Sequence, residues 1–277
     1  MKLLVSALFP EARPLVRRLA LKKRALGRGL ELHMGGETAL LVTGVGKVPA
    51  AVRVARALQL PELEGVDRVV NVGICGCSDT SVALGTVFLA NKIEEAATGR
   101  SFFPDMLVRH SFAEAALVTV DRPKTDGAGE PEEPMLYDME AAGIFQAAAE
   151  FVTADRLHFI KIISDHLEGG QFSKEWIEAL VEEAADSVQG FVGGLPAPEP
   201  ELGLGSEDQN ALERLRESLR LTRTQATQAQ DWAMAYLLGG GEDLAAKLEG
   251  AARIQPAEQT TATRATALQS LRHELGA

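Results

Sequence analysis

Three carboxylates far apart in the chain, Glu11, Glu140 and Asp165, are the residues whose surroundings suit chemistry. Glu11 follows an N-terminal apolar run, Glu140 lies in Asp138-Met139-Glu140-Ala141, and Asp165 closes Ile163-Ser164-Asp165. At strand–loop and loop–helix junctions, side chains can converge on a small molecule rather than on solvent. Three acids around one pocket suit a reaction that protonates a leaving group, holds hydroxyls and activates a water.

Glycine turns accompany the acids. Gly44-Val45-Gly46-Lys47 stands between a strand and a helix, where backbone N–H groups and a helix N-terminus can face a ligand. It lacks the third glycine of a dinucleotide fingerprint and the G-K-[ST] of a P-loop, and a tight turn without ligand explains it equally well. Asn71-Val72-Gly73-Ile74-Cys75-Gly76-Cys77 ends an apolar strand in a glycine turn, at the carboxyl edge where open α/β sheets bind ligands. Lys161-Ile162-Ile163-Ser164-Asp165 reaches the same edge. Asp138 and Glu140 open a helix, and the macrodipole alone accounts for acids in a first turn.

The elements that must carry these residues alternate over the first 195 positions. Strands are expected at Lys2–Leu8, Leu30–Met34, Ala39–Thr43, Arg68–Ile74, Thr86–Ala90, Ala116–Val120 and His158–Ile163. Helices are expected at Glu11–Lys23, Lys47–Leu60, Asp138–Phe151 and Ser173–Phe191, the last with Trp176, Ile177, Leu180, Val181, Ala184 and Val188 on one face. Continuous Val/Ile/Leu strands between amphipathic helices predict an α/β three-layer sandwich, a central mixed, mostly parallel sheet flanked by helices.

A Pro-rich segment, residues 196–205, then reads as a stiff linker, followed by a helical extension over 206–277. Ser206-x-x-Gln209 reads as a capping box opening one long helix to residue 238, striped by Leu212, Leu215, Leu219, Ala226, Ala229, Trp232 and Tyr236. Two weaker helices are expected around Glu242–Glu249 and Thr260–Leu275. The extension carries no catalytic motif, and its stripe is expected to dock on the first domain or on a neighbouring subunit.

Composition narrows the classes. A net charge of −11 argues against a nucleic-acid partner, which needs a basic patch, and Lys22-Lys23-Arg24 reads as a solvated helix face. No apolar run approaches about 18 residues, so no membrane span is expected, and the cytoplasm is the expected compartment. Cys75 and Cys77 make a poor zinc or disulfide framework and read as small buried side chains; no metal and no cofactor are expected.

Taken together, Ala7-x-x-x-Glu11, Gly44-Val45-Gly46-Lys47-Val48-x-Ala50-Ala51, Asn71-x-Gly73-x-x-Gly76, Asp138-Met139-Glu140-Ala141 and Ile163-Ser164-Asp165 resemble the nucleoside phosphorylase superfamily over about residues 1–192. The resemblance is closest to its hydrolytic branch, the 5′-methylthioadenosine/S-adenosylhomocysteine nucleosidases and futalosine hydrolases. It implies hydrolysis of the N-glycosidic bond of a purine nucleoside or a 5′-modified nucleoside, by a homodimer. Glu11 would activate water and Asp165 would protonate or hydrogen-bond the purine N7. Met139 and Glu140 would grip the ribose, and Gly46, Gly73, Ile74, Gly76 and Ser164 would complete the substrate site.

Phosphorolysis and non-catalytic nucleoside binding on the same scaffold are the alternatives. Hexameric bacterial purine phosphorylases have arginine and serine where this chain has Asn71 and Ile74, so the resemblance favours water as nucleophile. Lys161 stands where the nucleosidases have arginine, keeping the charge without the fork. Where they place an aromatic residue against the base, this chain reads Asp121-Arg122-Pro123-Lys124. Phe102 or Phe103 is expected to supply that stacking, unless the substrate itself differs.

Overall fold

The computed structural model describes residues 1–24, 29–129, 131, 133–169, 172–196, 204–253 and 261–276. The chain divides into two units, residues 1–195 and 196–277.

In chain order, the first unit comprises β1 (Lys2–Ser6), α1 (Phe9–Arg18), β2 (Lys22–Arg24), β3 (Glu31–Gly35), β4 (Thr38–Val42), α2 (Lys47–Leu58) and β5 (Arg68–Cys77). After these come β6 (Val87–Glu95), β7 (Arg100–Phe102), β8 (Ala113–Thr119), β9 (Met135–Asp138), α3 (Ala141–Ala148), β10 (Leu157–Asp165) and α4 (Lys174–Gly194). All ten strands join one mixed sheet, as the alternation of apolar strands and amphipathic helices predicts. One apolar layer places α2 and α3 residues such as Ala50, Val54, Ile144 and Phe145 on the sheet, and the other places α1 and α4 there through Leu15, Val181 and Val188. Each Val, Leu, Ile or Phe among them, fully buried, contributes about 1.5–3 kcal/mol.

The pairing of β5 shapes the unit. β10 runs parallel along one edge from Val69 to Gly76, while β1 occupies the other edge only as far as Asn71. Beyond it, β9 pairs antiparallel with Gly76 and Cys77. Because β10 also pairs with β6, β6 with β8 and β8 with β9, the strands β5, β10, β6, β8 and β9 form a closed circuit. The carboxyl ends of β5 and β10 lie inside this arrangement, next to β9.

Several boundaries differ from the expected ones. The first helix stops at Arg18, because Ala20 turns left-handed (φ 49°) and Leu21 N–H donates back to Val16 O. Lys22-Lys23-Arg24 is therefore an exposed edge strand paired with β3, not a helix face, and its charges suit an edge that must resist further pairing. Arg17 and Arg18 do lie on a helix, and they pair with Glu178, Glu182 and Asp186 on α4. Gly73 and Gly76 belong to β5 itself rather than to a turn after it, and Cys75 and Cys77 are buried and free. The segment expected as one helix from Asp138 is split: Asp138 ends β9, and α3 begins at Ala141.

The second unit holds α5 (Ser206–Ser218), α6 (Arg223–Leu238), α7 (Leu244–Arg253) and α8 (Thr261–Glu274). One long helix over 206–238 does not form. Arg220 takes a left-handed conformation (φ 47°), and the capping box lies at Thr222-x-x-Gln225, not at Ser206, where Gly205 is the N-cap. Leu215, Leu219, Ala229, Ala233, Leu248 and Leu271 close a core of the unit's own, so the apolar stripe is covered by its neighbouring helices. Residues 197–203 of the expected linker, and Thr260 of the expected last helix, lie outside the described residues. No helix among the described residues is long and apolar enough to cross a membrane.

Candidate active site

A cleft of about 320 Å³ opens at the carboxyl ends of β5 and β10. Glu11, Ile74, Gly76, Met139, Glu140, Ser164 and Asp165 all line it. Gly46 and Gly73 do not line it; they act from behind, on the acids.

Glu11 sits in the first turn of α1, and its carboxylate accepts from Leu8 N–H (2.8 Å) and Ile74 N–H (3.0 Å). The acid thereby fastens the start of α1 to β5. Ile74 contributes its backbone, and Gly73 leaves the room: a Cβ there would stand 3.1 Å from Glu11 Oε1. Burial pushes the Glu11 carboxyl above its ordinary 4.5, against the pull of the two N–H donors and the Lys161 charge.

Glu140 is the N-cap residue of α3, but its side chain reaches across to Gly46 N–H (2.8 Å), at the N-terminus of α2. Gly46 has φ 104°, a conformation closed to most side chains, which aims that N–H at the acid. Burial, then the neighbouring charge of Asp138, pushes Glu140 up to about 7. The helices approach closely enough here that a Cβ on Gly143 would collide with the Lys47 carbonyl.

Beneath Glu140 lies a buried ion pair, Lys161 Nζ to Asp138 Oδ2 at 2.8 Å. Asp138 also accepts from Thr119 Oγ1 (2.7 Å) and Ala141 N–H (2.8 Å), joining β8, β9, β10 and α3. Burial opposes the Lys161 charge, but Asp138 and Glu140 outweigh it and hold the ammonium above its ordinary 10.5. A lysine inside the apolar run Phe159–Ile163 was a readable signal for this pair, since a buried charge requires a partner.

Asp165 owes its direction to an irregularity. Ile163 pairs with Cys75 and Asp165 with Gly76, leaving Ser164 as an extra residue in β10. Ser164 Oγ bonds to Cys75 O (3.0 Å) and to Asp165 Oδ2 (2.7 Å), while Asp165 Oδ1 accepts from Leu167 N–H (2.9 Å). Leu167 is left-handed (φ 59°), and its carbonyl accepts from Gly127 N–H at 2.9 Å. A Cβ on Gly76 would meet Leu167 and come within 3.2 Å of Asp165 Oδ1.

Phe102 and Phe103 do not supply aromatic surface. Phe102 packs on Phe145 in the core, its ring 5.2 Å away, and Phe103 is exposed outside the cleft. Tyr137 and Phe172 line the cleft instead, Phe172 stacked on Trp176 at 4.7 Å. Neither belongs to the segment Asp121-Arg122-Pro123-Lys124 that follows β8. Thr98 and Arg100 belong to the β6–β7 hairpin, bonded to Glu95 and Gln146.

The sequence model of the phosphorylase superfamily matches residues 6–128. Among solved structures, a 5′-methylthioadenosine/S-adenosylhomocysteine nucleosidase from S. pneumoniae with a transition-state inhibitor is similar at 22% identity and TM-score 0.57, covering 71% of this chain and 100% of that one. The enzyme of that name from Neisseria meningitidis is similar at 21% identity and TM-score 0.58, covering 70% and 99%. That from Colwellia psychrerythraea, in complex with adenine, is similar at 19% and 0.56, covering 70% and 95%. No curated protein sequence matches the chain.

Proposed function

We propose that the first unit hydrolyses the N-glycosidic bond of a purine nucleoside or 5′-modified nucleoside. The observation that carries this reading is the convergence of Glu11, Glu140 and Asp165 on one cleft. Its volume lies at the small end of the range for small-molecule sites.

In this reading Glu140 accepts hydrogen bonds from ribose hydroxyls, with Met139 beside it. Asp165, steered by Ser164 and Leu167, gives its proton to N7 of the base. The N9–C1′ bond then breaks with its electrons going to the base, and a water attacks the oxocarbenium-like C1′. Glu11 takes the proton of that water. Its two N–H donors fix the carboxylate and leave lone pairs free, and burial makes it a better base than an exposed glutamate.

Two side chains support water over phosphate. The Asn71 amide donates to Val5 O (2.9 Å) inside the sheet, and Ile74 offers no side-chain donor, so neither position serves an anion. A cytoplasmic homodimer belongs to the same proposal. Val48 and Val52, exposed on one face of α2 near the cleft, support the dimer. The test is base release from a panel of nucleosides with and without phosphate. Free sugar in phosphate-free buffer is expected; a sugar-1-phosphate product, or strict dependence on phosphate, would overturn the choice of nucleophile. Light scattering checks the dimer.

A further inference from the structure

Neither the acids nor the ribose contacts make use of Lys124, which lines the cleft from the loop between β8 and β9. Its Nζ stands 5.2 Å from the centre of the Tyr137 ring and donates to Asp126 Oδ2 at 2.6 Å. Asp126 is largely exposed, so this partner can be exchanged for a ligand without stranding a buried charge.

The position of the ammonium within the cleft follows from the sheet. Gly76 pairs with Asp165 on one side and with Tyr137 on the other, so the three residues form one row, with Lys124 over its far member. The loop is also tied to the turn after Asp165, through Gly127 N–H to Leu167 O (2.9 Å) and Leu167 N–H to Asp165 Oδ1 (2.9 Å). Lys124 and Asp165 therefore line one cleft from the two sides of Gly76.

In a purine, N7 and the substituent on C6 share one edge. A base whose N7 faces Asp165 presents position 6 to the next side chain along that wall. An ammonium offers three donors and no acceptor. It complements a carbonyl O6, whereas an exocyclic amino group, itself a donor, meets it with like polarity. As the glycosidic bond breaks, electron density on a 6-oxopurine spreads onto O6, so the contact strengthens toward the transition state.

Building on the glycosidic-cleavage reading, we propose that Lys124 selects 6-oxopurine nucleosides over 6-aminopurine nucleosides. The Colwellia neighbour, by contrast, was solved with adenine, a 6-aminopurine.

The experiment compares inosine with adenosine, and their 5′-methylthio derivatives, on the full chain. The 6-oxo member of each pair should have a kcat/KM higher by about tenfold or more, the worth of one charge-assisted hydrogen bond. Lys124→Met should bring each pair to within about twofold, and Lys124→Arg should keep the preference. A preference for the amino member, or an unchanged ratio in Lys124→Met, overturns the proposal. If no nucleoside is cleaved, the cleavage reading fails, and calorimetry with free hypoxanthine and adenine decides the selectivity separately. Tighter hypoxanthine binding that Lys124→Met abolishes upholds it, and equal binding overturns it.

Discussion

Replacing Glu140 by glutamine should make the protein more stable at pH 8 while disabling the site. The substitution keeps the shape and an acceptor for the Gly46 N–H but removes a buried charge. In the unfolded chain this carboxyl ionises near its ordinary 4.5; in the folded protein, burial and Asp138 hold it up to about 7. The folded state therefore binds the extra proton between those values. Wild-type stability falls as pH rises from about 4.5 to about 7, and levels off above. At about 1.4 kcal/mol per tenfold change in protonation, the charge costs on the order of 3 kcal/mol at pH 8. The unmet donors of the new amide take back about 1 kcal/mol. Urea unfolding should then show Glu140→Gln more stable by about 2 kcal/mol at pH 8, with the advantage gone at about pH 5 and reversed below it. Wild-type kcat/KM should decline below pH about 7, as Glu140 protonates and stops accepting from hydroxyls. A variant less stable than wild type at pH 8, or one whose advantage does not change with pH, would refute the reasoning.

Glu11→Gln and Asp165→Asn should each slow base release by roughly two to four decades, measured as kcat, with the far-ultraviolet spectrum unchanged. A loss under tenfold at either position would remove that residue from the chemistry. Gly143→Ala forces a methyl group into the Lys47 backbone, so α2 and α3 must separate and carry Gly46 away from Glu140. A destabilisation of about 1–3 kcal/mol with a raised KM is expected, and a fully active, equally stable variant would show that the contact relaxes freely. Residues 1–196 alone should fold and release base, because the helical unit closes its own core; an insoluble or inactive fragment counts against this.

The acids were legible because each closes a strand or opens a helix, a position where sequence pattern and chemistry coincide. The strands expected at Leu30–Met34 and Ala39–Thr43, which pair as β3 and β4, and the apolar run of β5 were equally plain. What sequence pattern left hidden depends on tertiary partners. Whether Asp138 ends a strand or starts a helix is decided by Thr119 and Lys161, which come from other strands. The extra residue at Ser164 has no local signature; it exists only relative to β5. By contrast, the break between α5 and α6 was written in Thr222-x-x-Gln225, and the continuous apolar stripe masked it. That stripe showed that burial was needed, but not that α7 and α8 would provide it.

The circuit of β5, β10, β6, β8 and β9 bears on how the protein will wear out. A strand in an open sheet can fray from its edge, dragging a few residues loose while the rest endures. Here each member is bonded on both flanks over part of its length, and three of the five carry a wall of the cleft. Heat should therefore find no gentle way in. Catalytic power and the tertiary structure of the first unit should vanish in one step, without a range of temperatures in which a folded but blunted enzyme lingers.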